Sequence, residues 1–419
     1  MKTDVTIAIV GAGSRGTVYA EQAQIAFDGK CRVVAVAEPR DFQRKALADH
    51  CNIDKENQYS DWRELASQPK LADAVVIATH DQMHTEPALA FLEKGYHILL
   101  EKPMAPTEEE CRAIVATANR LNRIVAVSHV LRYTPYFRKL RELVQSGAIG
   151  EPATFRHFEG VVYWHQAHSY VRGNWRNTKE SSPMILAKSC HDLDIMLFIL
   201  GLNCKRLSSF GSLKHFRSEN QPEGATSRCL DCPLADSCIY SAKTYYLSHL
   251  HKGDFQWPLD VITSDFSEEG VMEALRNGPY GRCVYACDND VVDHQTINML
   301  FDRDVTGTFT MTAFSEDSRG RETEIMGTHG TIWGDTSIIR LNRFNGETTE
   351  FNMDDTDGML SGGHLGGDAG LMHDFVAALL AEDPSLLSSS PDTSLESHLM
   401  AFAAEKSRLD DGRTVSIHL

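Results

Sequence analysis

Gly11, Gly13 and Gly16 stand as Gly-x-Gly-x-x-Gly directly after an apolar run, Val-Thr-Ile-Ala-Ile-Val. Without side chains, such residues let the backbone turn tightly and approach a pyrophosphate, whose charge meets the amides and positive dipole end of the next helix. Glu38 closes the second apolar run, about 20 residues further on, where a carboxylate accepts ribose hydroxyls. That carboxylate repels a 2′-phosphate, so NAD is expected over NADP, with Arg40 as the one opposing charge. A bare strand-to-helix turn is the alternative reading of the glycines. A second group of residues suggests metal chemistry. Cys229-x-x-Cys232 followed by Cys238 places three thiols in a turn-rich segment. Two cysteines so spaced can wrap one tetrahedral Zn²⁺, with Cys283, ahead of Cys287, as the fourth ligand of a closed structural site. Unligated reduced thiols are the alternative, and zinc is expected over an iron–sulfur cluster.

These residues need elements to hold them. From residue 5 to 128, short β-branched runs alternate with longer amphipathic ones, the pattern of βα units around a parallel sheet. Strands are expected over 5–10, 32–37, 74–78, 97–100 and 124–127. Pro135 can open a helix, and Gly147, Gly150 and Pro152 end it before a strand begins at Ala153. The spacing therefore predicts a dinucleotide-binding α/β domain over 1–150 and a second domain over 151–419. In the latter, 186–200 reads as one helix stopped by Gly201, while 291–314 and 322–341 alternate like antiparallel strands. This predicts an α+β domain with a large, mainly antiparallel open sheet. Residues 214–290 read as an insertion too polar to have much core of its own. Two closing helices are expected over 366–381 and 394–409.

The chain of 419 residues is long enough for two or three domains, and its 42% hydrophobic and 24% charged content fits a folded globular protein. A formal net charge of -17 with no basic tract opposes binding to nucleic acid or an anionic membrane surface. No apolar run approaches the roughly 18 residues that span a bilayer. The start reads as a first strand rather than a secretory signal, so a cytoplasmic location with reduced cysteines is expected.

Further along stand Thr79-His80-Asp81-Gln82-Met83-His84 and Glu101-Lys102-Pro103. With Gly-Ala-Gly-Ser-Arg-Gly at 11–16, they resemble the Gfo/Idh/MocA family. The resemblance implies an NAD-binding Rossmann domain whose cofactor contacts come from Gly11, Gly13, Ser14, Arg15, Gly16, Glu38, Arg40, Thr79, His80, His84, Glu101 and Lys102. It also places Lys102 between the nicotinamide and the substrate, whereas a surface lysine is the plain alternative. The family's second signature is an Asp four residues before a His on a helix. Here His191 matches the histidine, but Ala187 stands at the acidic position.

Lys188, three residues before His191, can share its helical face, so a cluster of Lys102, Lys188 and His191 is expected. In this reading His191 removes the hydroxyl proton, Lys102 polarises the oxygen and Lys188 binds or assists, with a packed core histidine as the competing reading for His191. His129, Arg132, Tyr133, Trp164, His165, Trp175, Arg176 and His364 are expected to line a carbohydrate site, where aromatic faces suit sugar rings. The leading expectation is hydride transfer from a secondary hydroxyl of a sugar, cyclitol or glycoside to NAD. The rivals are an NAD-dependent glycosidase that oxidises, eliminates and re-reduces, and a non-catalytic NAD-binding sensor or scaffold. The resemblance also implies a homodimer or homotetramer.

Overall fold

The first run forms β1 (Val5–Val10), buried along almost its whole length, as a central parallel strand covered on both faces must be. The structure, a computed structural model, describes residues 3–316, 320–353 and 364–418. β2 (Cys31–Ala37), β3 (Gln58–Tyr59), β4 (Ala74–Ile77), β5 (His97–Leu100) and β6 (Val125–Val127) complete a parallel sheet in the order β3-β2-β1-β4-β5-β6. The chain order reverses beside β1, and the crevice at the carboxyl ends there is where such sheets take a dinucleotide. The expected strands are present with ends shifted by a residue. The two-residue β3 escaped notice because it is too short to show a period.

Nine strands form the second sheet: β7 (Pro152–Gly160), β8 (Cys204–Ser212), β9 (His294–Phe301), β10 (Thr306–Thr312), β11 (Arg321–Gly327), β12 (Gly330–Gly334), β13 (Ile338–Arg343), β14 (Thr348–Asn352) and β15 (Val415–Ser416). Their order is β14-β13-β12-β11-β7-β10-β9-β8-β15, and every pairing is antiparallel except β7 with β10. Along β10 exposed and buried residues alternate, Phe309 and Met311 facing the core while Thr306 and Thr308 face outward.

The segment expected as one helix over 186–200 is two. A short helix, Met184–Ala187, ends at Lys188, and a second, Cys190–Leu200, is buried at every position. In an unbroken helix the Ala187 carbonyl would accept from the His191 amide. Here it accepts from Lys102 Nζ at 2.7 Å. The insertion also departs from expectation. Its helices Ala242–Lys252 and Glu268–Asn277 enclose a small core that includes Tyr246, Leu259, Val271 and Leu275. Val271 and Leu275, four apart on one helical face, were hidden by the polar average around them.

The closing helices are Gly367–Ala381 and Pro391–Leu409. The former packs under the first sheet, where Leu371, Met372 and Phe375 share a core with Val5, Ile7 and Ile9. No helix among the described residues is long and apolar enough to cross a membrane.

Candidate cofactor and substrate site

The glycine turn joins β1 to the helix Ser14–Ile25. Gly11 has φ +92°, and a Cβ there would come within 2.6 Å of the Ala78 carbonyl oxygen. A Cβ on Gly16 would lie 1.9 Å from the Gly11 carbonyl oxygen. These two glycines are required by the protein's own packing. Gly13 is not, since its Cβ would meet only Arg40 Nη2, at an ordinary 3.5 Å. Space is left over Gly13, beside a helix start with no side-chain cap and no acidic residue in its first turn, which suits an approaching pyrophosphate. Glu38, 2% exposed, completes the cradle. Its carboxylate accepts from Ala12 N at 2.8 Å, Arg40 N at 2.9 Å and Arg40 Nε at 2.8 Å. Burial alone would raise the Glu38 carboxyl, but the hydrogen bonds and charge of Arg40 hold it below the usual range.

Several other expected cofactor contacts serve the fold. Arg15 donates from Nε to Glu101 at 2.8 Å and pairs with Asp368 at 2.5 Å, tying the first helix to the end of β5 and to the helix Gly367–Ala381. Glu101 also accepts from the Tyr19 hydroxyl at 2.6 Å. Burial opposes its charge, yet Arg15 and Lys102 hold its carboxyl down to about 2. His84, 1% exposed, bridges the carbonyls of Pro103 (2.7 Å) and Thr79 (3.1 Å), and Thr79 Oγ1 donates to Met83 O at 3.0 Å. These residues hold the loops after β4 and β5, while half-buried His80 stacks on Trp175 at 6.3 Å between centroids.

Lys102 follows β5. Its backbone amide donates to Glu101 Oε2 at 2.9 Å and Ser128 Oγ at 2.8 Å, and its ammonium reaches the Ala187 carbonyl. His191, 6% exposed, lies 5.7 Å from the His129 ring and 6.4 Å from that of His364, and its Nδ1 has no hydrogen-bond partner. Burial first, then the charge of Lys102, pushes the His191 imidazole well below the ordinary histidine value, so it is neutral at pH 7. His129 is depressed in the same way, by burial and then by Arg132 and Lys102. His364 pairs with Asp368 at 3.0 Å.

The expectation that Lys188 shares a helical face with His191 is corrected by the helix break. Lys188 turns instead to Glu159, at 3.1 Å. Glu159 also pairs with Arg321 at 3.1 Å, and Arg321 reaches Asp192 at 2.7 Å, which in turn meets His157 at 3.2 Å. Two substrate-side expectations are also corrected. Arg132, 5% exposed, forms a two-pronged pair with Asp194 at 2.6 and 2.7 Å, and fully buried Tyr133 meets Ser389 Oγ at 2.7 Å. Both are spent inside the protein. Arg176 pairs with Asp288 at 2.9 Å and Glu180 at 2.9 Å, fastening the insertion.

Trp164 and His165 follow Val162, whose φ of 71° is rare for a β-branched residue, and precede a π-helical turn, Gln166–Arg172. Trp164 stacks on Tyr245 at 5.6 Å, and Trp257 meets His165 edge-on at 5.0 Å. The insertion thus gives aromatic rings to the wall carrying His165. Enclosure, and then the charge of Lys188, pushes His165 well below the ordinary histidine value, placing this wall in electrostatic reach of Lys188.

Sequence reasoning missed Asp81. Only 3% exposed, it accepts from Ser182 Oγ at 2.7 Å, Ser181 Oγ at 2.8 Å and Trp175 Nε1 at 3.1 Å, fixing Trp175 beside the crevice. Its place in the Thr79 to His84 motif was the available signal. Tyr170, 5% exposed on the π-helical turn, was also missed, because no helix period marks such a turn.

The four cysteines expected to bind zinc, Cys229, Cys232, Cys238 and Cys283, do line one cavity. Among the described residues, however, no three His, Cys, Asp or Glu side chains stand close enough to hold a metal ion, so the single zinc is not supported. Burial raises the Cys283 thiol, and nearness to Cys229 and Cys232 adds to the rise.

Similarity to known proteins agrees with this arrangement. Residues 5–129 match the Gfo/Idh/MocA oxidoreductase family with its NAD-binding Rossmann fold, and residues 137–237 match a Gfo/Idh/MocA C-terminal domain. The 2,7-anhydro-N-acetylneuraminate hydratase of Mediterraneibacter gnavus is 30% identical over 207 residues, 48% of this chain and 50% of that protein. The scyllo-inositol 2-dehydrogenase (NAD(+)) of Bacillus subtilis is 24% identical over 286 residues, 68% of this chain and 71% of that one. Among solved structures, an inositol dehydrogenase homologue from Azotobacter vinelandii, complexed with NADH and myo-inositol, superposes with a TM-score of 0.68 at 16% identity, covering 99% of this chain and 98% of that one. From the glycine turn, the strand-end motifs and both matched domains it follows that the chain belongs to the Gfo/Idh/MocA family of NAD-binding oxidoreductases.

Proposed function

We propose that the chain oxidises a secondary hydroxyl of a sugar, cyclitol or glycoside in an NAD-dependent reaction, with Lys102 and His191 as the reacting protein groups. The observation that carries this reading is the buried, neutral His191 with a free Nδ1 beside the ammonium of Lys102 at the carboxyl end of the parallel sheet. A neutral imidazole with an unbonded nitrogen can take a hydroxyl proton from a substrate that reaches it. An ammonium fixed by the Ala187 carbonyl can stabilise the oxygen's developing charge without reorganising. When bound, NAD supplies the acceptor for the hydride.

Gly13, the first turn of Ser14–Ile25 and Glu38 would hold that cofactor, and the Glu38 carboxylate favours NAD over NADP. Lys188, paired with Glu159, is assigned to substrate binding rather than to proton transfer. Trp164, His165, Trp175 and Trp257 offer ring faces that suit a carbohydrate. A homodimer or homotetramer formed through the outer face of the nine-stranded sheet belongs to the same reading.

A redox-neutral outcome is the second reading. Ala187 in place of the family acid, and a relative whose name denotes a hydratase, favour it. In that case the hydroxyl is oxidised, a neighbouring C–H is lost with elimination, and the hydride returns. Sugars, cyclitols and aryl glycosides assayed in parallel for NADH and released aglycone separate the two. NADH in proportion to product supports net oxidation; aglycone with no net NADH supports the second. Failure of every substrate together with retained NAD binding would favour a sensor or scaffold.

A further inference from the structure

A row of aromatic rings leads outward from the proposed site. Trp175, whose indole Nε1 donates to Asp81, lies 6.3 Å between centroids from Tyr170; Tyr170 lies 5.8 Å from His165, and His165 lies 5.0 Å from Trp257. The row starts beside the loop after β4 and ends on the insertion. Within it Tyr170 is only 5% exposed, whereas Trp257 at the outer end is 36% exposed. On the same segment of the insertion Phe255 and Phe266, both exposed, stack on each other at 5.1 Å.

Trp257 is anchored from behind. Leu259, two residues on, is fully buried in the core of the insertion with Tyr246, Val271 and Leu275, and its amide donates to Gln256 O at 2.8 Å. The indole also meets His168 edge-on at 5.4 Å, and His168 is itself fixed by the Tyr246 hydroxyl at 2.6 Å. A large ring held this way and left exposed offers a face to a ligand. Charge narrows what can lie there. From residue 253 to 275 the chain carries six carboxylates and no lysine or arginine, with Asp254 and Asp265 directly before the two stacked phenylalanines. Such a rim repels a phosphate, a uronate or a nucleotide attached to the reacting sugar. A neutral sugar ring is accepted, because its apolar face stacks on an indole while its hydroxyls stay in water or donate to carboxylates. A wholly apolar aryl group gains most where it leaves water altogether, and Trp257 is not enclosed.

We propose that the substrate is a neutral glycan of at least two sugar rings: one ring lies at Lys102 and His191 and is oxidised, and the next stacks on Trp257. This rests on the carbohydrate reading of the site and holds for either redox outcome. A free monosaccharide or cyclitol leaves Trp257 unused. The insertion therefore sets a preference for chain length, through a residue far from the reacting atoms.

The test uses the full chain loaded with NAD and compares glucose and galactose with cellobiose, maltose and lactose, and with the nitrophenyl glycosides of the same sugars. By calorimetry the best disaccharide should bind about three- to tenfold more tightly than its monosaccharide, the worth of one aromatic contact, and KM should fall alike. Trp257→Leu, which keeps apolar bulk but removes the ring face, should erase this advantage, and Trp257→Phe should keep part of it. Should the leucine variant fail to fold, the wild-type protein decides: bound disaccharide should protect Trp257 from oxidation by N-bromosuccinimide, read by peptide mass spectrometry, and monosaccharide should not. No disaccharide binding, equal affinity for one ring and two, an advantage that survives Trp257→Leu, or a gain for nitrophenyl glycosides alone would overturn the proposal. So would loss of self-association in Trp257→Leu, which would give this face to a second copy of the chain. Binding is read without turnover. A Trp257-dependent gain with neither NADH nor aglycone formed would sink the proposed oxidation and leave the second-ring site standing, whereas turnover indifferent to Trp257 would do the reverse.

Discussion

The cofactor side and the substrate side of the crevice are built by different rules. On the cofactor side, the turn at Gly11 to Gly16 is dictated by backbone geometry, and the main chain at Gly11 and at the neighbouring strand end, Ala78, decides where a Cβ fits. On the substrate side, each polar group is set by a partner far off in sequence: Lys188 by Glu159, Arg132 by Asp194, Trp175 by Asp81. Where main chain closes on main chain, as at Gly11 and Gly16, no Cβ is tolerated, whereas assembled sites respond to whatever disturbs their partners.

Lys102 stands on the border between the two sides and gives the largest expected effect. Lys102→Ala should lower kcat by about a hundred- to ten-thousand-fold, as for loss of a positioned polar catalyst, while NAD binding measured by calorimetry is retained. Near-normal kcat in a folded variant would remove Lys102 from the chemistry. The next test separates two glycines of one motif. Gly16→Ala forces a Cβ to 1.9 Å from the Gly11 carbonyl and should destabilise the fold by about 3 kcal/mol, seen as a lowered Tm. Gly13→Ala should leave Tm unchanged and weaken NAD binding about tenfold, or 1.4 kcal/mol. Equal losses of Tm would erase the distinction between packing and ligand glycines.

The substrate side should show itself through pH. Burial depresses His129, His168, His191 and His398, the second and fourth to about 3. Below about pH 6.5 the unfolded chain takes up protons at these sites while the folded one does not, so stability falls as pH falls. Each histidine contributes about 1.4 kcal/mol of loss per pH unit until its own folded value is reached. Denaturant melts at pH 7, 6 and 5 should show this decline well above the range where carboxylates such as Glu101 and Asp368, both held to about 2, begin to matter. A flat profile from pH 7 to 5 would mean these imidazoles are not held neutral. The smallest effect belongs to Arg40, whose guanidinium is 56% exposed and paired with Glu38. Arg40→Ala should change NAD affinity only a few-fold, within the roughly 0–1 kcal/mol of an exposed pair, and should make NADP binding worse rather than better.

The same contrast explains what could be read from the chain. The parallel sheet, its order of appearance and the Gly13 and Glu38 cradle follow from short-range patterns. Arg132 and Tyr133 misled because residue type was read without burial, and both turn inward. The break at Lys188 was invisible because no Gly or Pro marks it, while the bond released there is taken by Lys102, far away in sequence. Cys229, Cys232 and Cys238 could be grouped by spacing, whereas Cys283 is brought to the wall of the same cavity by the β-bridge between Arg228 and Arg282, far apart in sequence.

The helix Gly367–Ala381 seals the underside of the strand with which the sheet begins, through Leu371 and Phe375 against Val5 and Ile7. On the ribosome, those two partners are made far apart in time. At about 5–20 residues per second, β1 waits roughly 20–70 s for the helix that covers it. Until then its apolar underside is open to chaperones and to other nascent chains, so the cofactor half can finish folding only after the helix Gly367–Ala381 has been made.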